Sequence, residues 1–229
     1  MSRDDFRRNW ERGQRVLLLM RTFEPDFPSG SKGSTLTSEL EGKLADSDAQ
    51  EVKRADSTRK RRQGTAARAD ARKAARRMLK TTSDTAEPLT LDHPEMKGLF
   101  KPAPGGNNDA ELMTAVRSAA NAASQYAALF TESGLPPAFF DQMRAKANDI
   151  EVAAAQQDEA IREGVAATAA LEELHREIDE IVDRLDPLVR NKYANDPAKL
   201  AAWESASRLE RAPRHTDDDS DDDDTDDTN

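Results

Sequence analysis

Glu172-Glu173-Leu174-His175 holds the one spacing in the chain that points to metal chemistry. E-x-x-H places a carboxylate and an imidazole on one helix face, the arrangement that di-iron bundles use. Such a centre needs a second E-x-x-H and two further Glu. The other histidines, His93 and His215, have no Glu three residues before them. The expectation is a bundle histidine with a polar partner, no metal ligand and no cofactor; a metal-binding bundle is the alternative.

The second candidate is electrostatic. Residues 53–80 hold twelve Lys or Arg against Asp56 and Asp70, a net of +10. On a helical wheel Ala67, Ala71, Ala74, Ala75 and Met78 gather on one side. Arg61, Arg62, Arg68, Arg72, Lys73, Arg76, Arg77 and Lys80 cover the other. Such a face can track phosphates, with an affinity that falls steeply in salt. It has no interleaved aromatics for base stacking and matches no named nucleic-acid motif. The competing reading pairs it with the acidic fourth helix, since residues 137–190 carry thirteen Asp or Glu against six Arg or Lys. A further competitor is the tail, where residues 217–227 hold nine Asp and no basic residue. That tail can act as a solubiliser, as a phosphate mimic folded onto the basic helix, or as a ligand for a basic partner.

Other chemistry is thinly supplied. There is no Cys, which removes thiolate nucleophiles, disulfides and Cys-ligated zinc. Gly105-Gly106 lies among prolines rather than between a strand and a helix, so it is no phosphate cradle. The paired carboxylates of the fourth helix fall on positions expected to face solvent. These absences point to a protein that is not an enzyme.

Composition sets the scaffold. Of 229 residues, 36% are apolar, 5% aromatic and 34% charged. A β-sandwich or barrel needs more β-branched and aromatic residues than this. The longest wholly apolar run, residues 16–20, is far short of a membrane span. The N-terminus carries five Arg but no signal-peptide core, so a cytoplasmic location is expected. The net charge of −10 belongs to the tail: without its nine Asp the remaining chain is near −1.

The elements follow from periodicity. Phe6, Trp10, Gly13, Leu17 and Met20 form one stripe of a helix over 3–22. A second helix is expected over 36–82, opening near Ser34 or Thr35, with Leu36, Leu40 and Leu44 in its first turns. Prolines 88, 94, 102 and 104 make 83–108 a loop, apolar enough to pack, with one turn at 94–99. A third helix is expected over 109–133, capped by Asn108 and closed by Gly134. The fourth, over 137–186, is the clearest signal. Its a, d and g heptad positions are nearly all apolar or small, a stripe wide enough for two neighbours. Asp186-Pro187 kinks or restarts it. Asp196-Pro197 opens a short last helix with Leu200, Trp203 and Leu209 on its apolar side.

Leu188-Val189-Arg190-Asn191-Lys192-Tyr193, followed by Asp196-Pro197-Ala198-Lys199-Leu200-Ala201-Ala202-Trp203-Glu204-Ser205-Ala206, resembles the C-terminal segment of a family of uncharacterised bacterial all-helical proteins. Phe100-Lys101-Pro102, Asn107-Asn108 and Gly134-Leu135-Pro136 resemble it more weakly. The resemblance implies a bacterial, all-α protein and brings no activity, ligand or catalytic residue with it.

The expected fold is therefore all-α: an elongated antiparallel, coiled-coil-like bundle over 1–212, with four main helices and a short C-terminal one. A disordered Asp-rich tail follows over 213–229. The expected role is that of a non-enzymatic structural or protein-interaction bundle, through self-association or a helical partner. The alternative is a nucleic-acid-associated protein using 53–80 and modulated by the tail.

Overall fold

The computed structural model describes the backbone of residues 3–210 and the side chains of residues 6–210. The Asp-rich tail expected to be disordered, and His215, lie outside the described residues. All regular structure among the described residues is helical, with no strand. The described residues form six α-helices, α1 (Arg3–Thr22), α2 (Lys32–Leu89), α3 (Asp109–Ala123), α4 (Ala127–Glu132), α5 (Phe139–Lys192) and α6 (Pro197–Ser207). Single 3-10 turns occur at Glu24–Asp26 and Pro94–Met96. The expected count of four main helices plus a short one is corrected in one place: the third helix is two, α3 and α4.

The chain divides into two compact units, residues 1–49 with 170–229, and residues 50–169. The long helices α2 and α5 contribute to both.

In the first unit, Val16, Leu17 and Met20 of α1 meet Leu36, Leu40 and Leu44 of α2 and Ile178, Val182 and Leu185 of α5. Gly13 lets α1 approach closely, since a Cβ there would lie 2.9 Å from Leu44 Cδ2 and 3.1 Å from Ile178 Cγ2. α2 starts earlier than the leucine spacing indicated, because the Ser31 hydroxyl accepts from Ser34 N at 3.2 Å. α5 runs on through Pro187 without a restart. An interior proline costs about 3 kcal/mol. Buried Leu185 and Val189 hold the helix on either side, and Asp186 accepts from Trp203 Nε1 at 2.7 Å. α6 is capped by Asp196, whose carboxylate accepts from Lys199 N at 3.1 Å, with Pro197 in its first position. Trp203 is wholly buried, whereas Leu209 lies beyond α6 and is exposed.

The second unit builds its core from Ala75 and Leu79 of α2, Leu112, Val116 and Ala120 of α3, Phe130 of α4, and Met143, Ala147 and Ile150 of α5. α2 continues past residue 82 because Thr82 and Ala86 are still buried; Pro88 falls only in its last turn. In the connection Met96 and Phe100 are buried and Leu91 is exposed. α3 stops at Ala123, where Ser124 N and Tyr126 N bond three residues back, at 3.2 and 3.0 Å, and tighten the turn. That break sends Phe130 into an aromatic cluster, 5.2 Å from Phe100 and 5.0 Å from Phe140. Gly134 takes φ +94° and Leu135 N returns to Phe130 O at 3.0 Å, a left-handed closure.

Within this unit α2 and α5 run antiparallel over small residues. Buried Ser57, Gly64 and Ala71 repeat every seven positions, as do buried Ala153, Ala160 and Ala167. A Cβ on Gly164 would lie 2.9 Å from Ser57 Oγ, and one on Gly64 would lie 3.3 Å from Gln157 Cβ.

Candidate polyanion-binding face

The eight basic residues 61–80 singled out above share one helix, but the fold divides them. Arg68, Arg72 and Arg76 recur every four residues and turn toward the start of α3. Arg68 Nε donates to Asp109 Oδ2 at 2.5 Å, and its Nη1 donates to Gln157 Oε1 at 3.1 Å. Gln157 in turn donates to Thr65 Oγ1 at 3.2 Å. Arg72 Nε donates to the other oxygen of Asp109, and Arg72 Nη2 to Asn107 O at 3.3 Å. Arg76 Nη2 donates to Gly106 O. Asn108 caps α3, accepting from Ala110 N at 3.1 Å. Asp109 then stands in the first turn, where a carboxylate also favours the helix dipole. Its side chain is 11% exposed. Burial pushes the Asp109 carboxyl up, and the hydrogen bonds from Arg72 and Arg68 outweigh that, so its pKa lies below the usual carboxylate value.

Arg61, Arg62, Lys73 and Arg77 are exposed and make no ion pair among the described residues. Lys80 is exposed and reaches Asp84 at 2.7 Å. Of the neighbouring cations, Arg59 pairs with Asp56 at 2.9 Å and Lys60 with Glu163 at 2.8 Å. The acidic α5 therefore meets this stretch at Glu163, and the larger share of internal neutralisation comes from Asp109 of α3 and the carbonyls of residues 106 and 107. The sequence signal for that role was the Asn108-Asp109 pair, a cap followed by an acid, which periodicity of α2 alone does not reveal. What remains outward is a short ladder of fixed positive charge, the kind of surface that attracts a phosphate backbone without reading its sequence.

The E-x-x-H residues differ in their burial. His175 is buried, its ring centroid 5.0 Å from that of Phe6, whereas Glu172 is exposed. Among the described residues no group of three or more His, Cys, Asp or Glu is placed to hold a metal ion. His93 lies in the second unit, with Nδ1 3.2 Å from Glu95.

The segment that carried the resemblance forms a second polar cluster, one that closes the first unit. Asp26 accepts from Tyr193 Oη at 2.8 Å and from Lys199 Nζ at 2.7 Å. The Lys199 ammonium also lies 4.4 Å from the Tyr193 ring centroid. Hydrogen bonds from Lys199 and Tyr193 lower the Asp26 pKa; burial, then the bond to Asp26, raises that of Tyr193. Arg12 donates to Ser207 O at 2.6 Å and to Asp179 at 2.8 Å. These groups satisfy one another's hydrogen bonds and tie α6 to α1 and α5 within the first unit.

No helix among the described residues is long and apolar enough to cross a membrane. No protein-family model, curated protein or solved structure matches the chain.

Proposed function

We propose that the protein is a non-enzymatic helical bundle that acts as a structural or protein-interaction element, working through the faces of α2 and α5. One observation carries this reading. Where these helices pair over small residues in the second unit, Val52, Val152, Ile161 and Val165 are exposed although they are large and apolar. An antiparallel pairing of α2 and α5 is part of the same reading. The test is affinity capture from a lysate of the source cell, using the wild-type chain and an Ile161→Glu/Val165→Asp variant. Proteins held by the first and lost by the second support the reading, and an identical set on both overturns it.

A second reading is favoured by the four exposed, unpaired cations Arg61, Arg62, Lys73 and Arg77. It is a polyanion-binding role, with the nine Asp of residues 217–227 as competitor. Deleting residues 216–229 then delays elution from heparin at low salt, and changing those four cations to Gln abolishes the delay. Arg72 and Arg76 are unsuitable for this test because they hold Asp109 and Gly106. Elution of the shortened chain no later than the intact one removes the reading.

A further inference from the structure

On α5, Arg144, Glu151, Asp158 and Val165 follow one another every seven residues and form one line along the helix. The first two engage α3: Arg144 donates to Ala120 O at 2.9 Å, and Glu151 pairs with Arg117 at 2.8 Å. Among the described residues the next two make no such contact with α3. Asp158 is exposed and makes no ion pair among the described residues, and Val165 is 66% exposed. On the line beside it, Ile161 is 42% exposed.

α2 shows the same step. Arg61, Arg68, Ala75 and Thr82 are spaced by seven. Thr82 and Ala75 are buried, and Arg68 holds Asp109 at the first turn of α3. Arg61, one heptad further, is exposed and unpaired. Among the described residues the pair α2–α5 therefore continues past the start of α3 with the same lines, and α3 does not extend over Arg61, Asp158 or Val165.

We infer that this uncovered stretch, floored by Ile161 and Val165 and edged by Arg61, is a docking groove for a single short amphipathic helix of a partner protein, acidic on the flank that faces α2. The inference rests on the protein-interaction reading above and names the partner's chemistry. α3 supplies the pattern, because it lies on the same lines with an apolar face inward and Asp109 against the arginines. Residues 158–169 of α5 rise about 18 Å, room for roughly three turns. Asp158 on the opposite edge sets the partner's other flank as basic or neutral. A second copy of this chain fits less well. α3 stands about 10 Å above the same face and holds two such pairs apart. Its outward residues Glu111, Thr114, Ser118 and Asn121 are polar and exposed, offering no apolar stripe to the groove of another copy.

The test uses the full chain and two fluorescein-labelled, hydrocarbon-stapled helical peptides of about four turns. Both carry Leu on one face; one has Glu along a single flank, and its twin has Lys at those positions. Fluorescence anisotropy should give micromolar binding of the Glu peptide at ~0.15 M salt, at least about tenfold tighter than the twin. Val165→Asp should weaken it by at least about tenfold with unchanged circular dichroism, and Arg61→Glu should cut the preference to below about threefold. Equal affinities of the two peptides, insensitivity to Val165→Asp, or no binding up to about 1 mM would overturn the inference. So would a dimer, seen by analytical ultracentrifugation, that Val165→Asp abolishes. A failure of the peptides beside a successful lysate capture removes the acidic-helix inference alone.

Discussion

Asp109 takes hydrogen bonds from Arg68 and Arg72 at the first turn of α3, so one carboxylate joins two helices of the second unit. Removing its charge leaves two half-buried guanidiniums opposing each other. Asp109→Asn should therefore lower stability by about 1–3 kcal/mol, below the cost of breaking a fully buried pair because both arginines keep some contact with water. The pH dependence has a definite sign. The folded pKa lies below the unfolded value, so the stabilisation is complete above roughly pH 4 and is lost as pH falls through the lower folded pKa. Melting curves of wild type and Asp109→Asn should differ fully at neutral pH and converge in acid, once the pH has fallen below the lowered folded pKa. A gap that persists in acid would show that Asp109 acts by packing and not by charge.

At the scale of elements, the heptad frame of α5 separates residues that sequence alone could rank. Leu185 is wholly buried in the first unit, and Glu173 is exposed and paired with Arg176 on the same helix. Leu185→Ala should cost about 2–5 kcal/mol, whereas Glu173→Ala should leave the denaturation midpoint essentially where it is. Equal denaturation midpoints for the two would refute the frame. Two glycines of α2 make the converse test. Gly42 faces open space, so Gly42→Ala should stabilise by about 0.5–1 kcal/mol. Gly64 is pressed against Gln157 and Ala153, so Gly64→Leu should destabilise by about 1–3. What periodicity could read was the inner face of each helix: the stripes of α1 and α5 are buried much as their spacing indicated. What it could not read depended on neighbours. α5 crosses Pro187 because buried residues grip both sides, and the wheel of α2 could not show that Arg68, Arg72 and Arg76 are consumed by the start of α3. The groove at Ile161 and Val165 was equally hidden, since a heptad position shows which way a residue turns and not whether a third helix is there to cover it.

For the whole molecule the two apolar clusters, one in each unit, leave the small-residue stretch of α2 with few large side chains to hold its backbone closed. Local opening follows the density of buried apolar contact. Amides of residues 53–64 should exchange with solvent at least about tenfold faster than those of residues 36–44 or 75–82. Hydrogen-exchange mass spectrometry measures this directly, and uniform protection along α2 would show that close backbone approach over Ser57 and Gly64 is as protective as a leucine core.

The way α6 is fastened has a consequence for how the chain is made. Residues 50–169, all of the second unit, leave the ribosome in one uninterrupted stretch, and that unit has its full complement of partners once they have emerged. The first unit does not. Val16, Leu17 and Leu40 are synthesised early, yet their cover includes Ile178, Val182 and Trp203, and Asp26 waits for Tyr193 and Lys199. At about 5–20 residues per second, that apolar surface stays naked for roughly ten to forty seconds of translation. A stop codon between residues 169 and 203 would strand it there, leaving a nascent product with one finished half and one that chaperones and proteases must deal with.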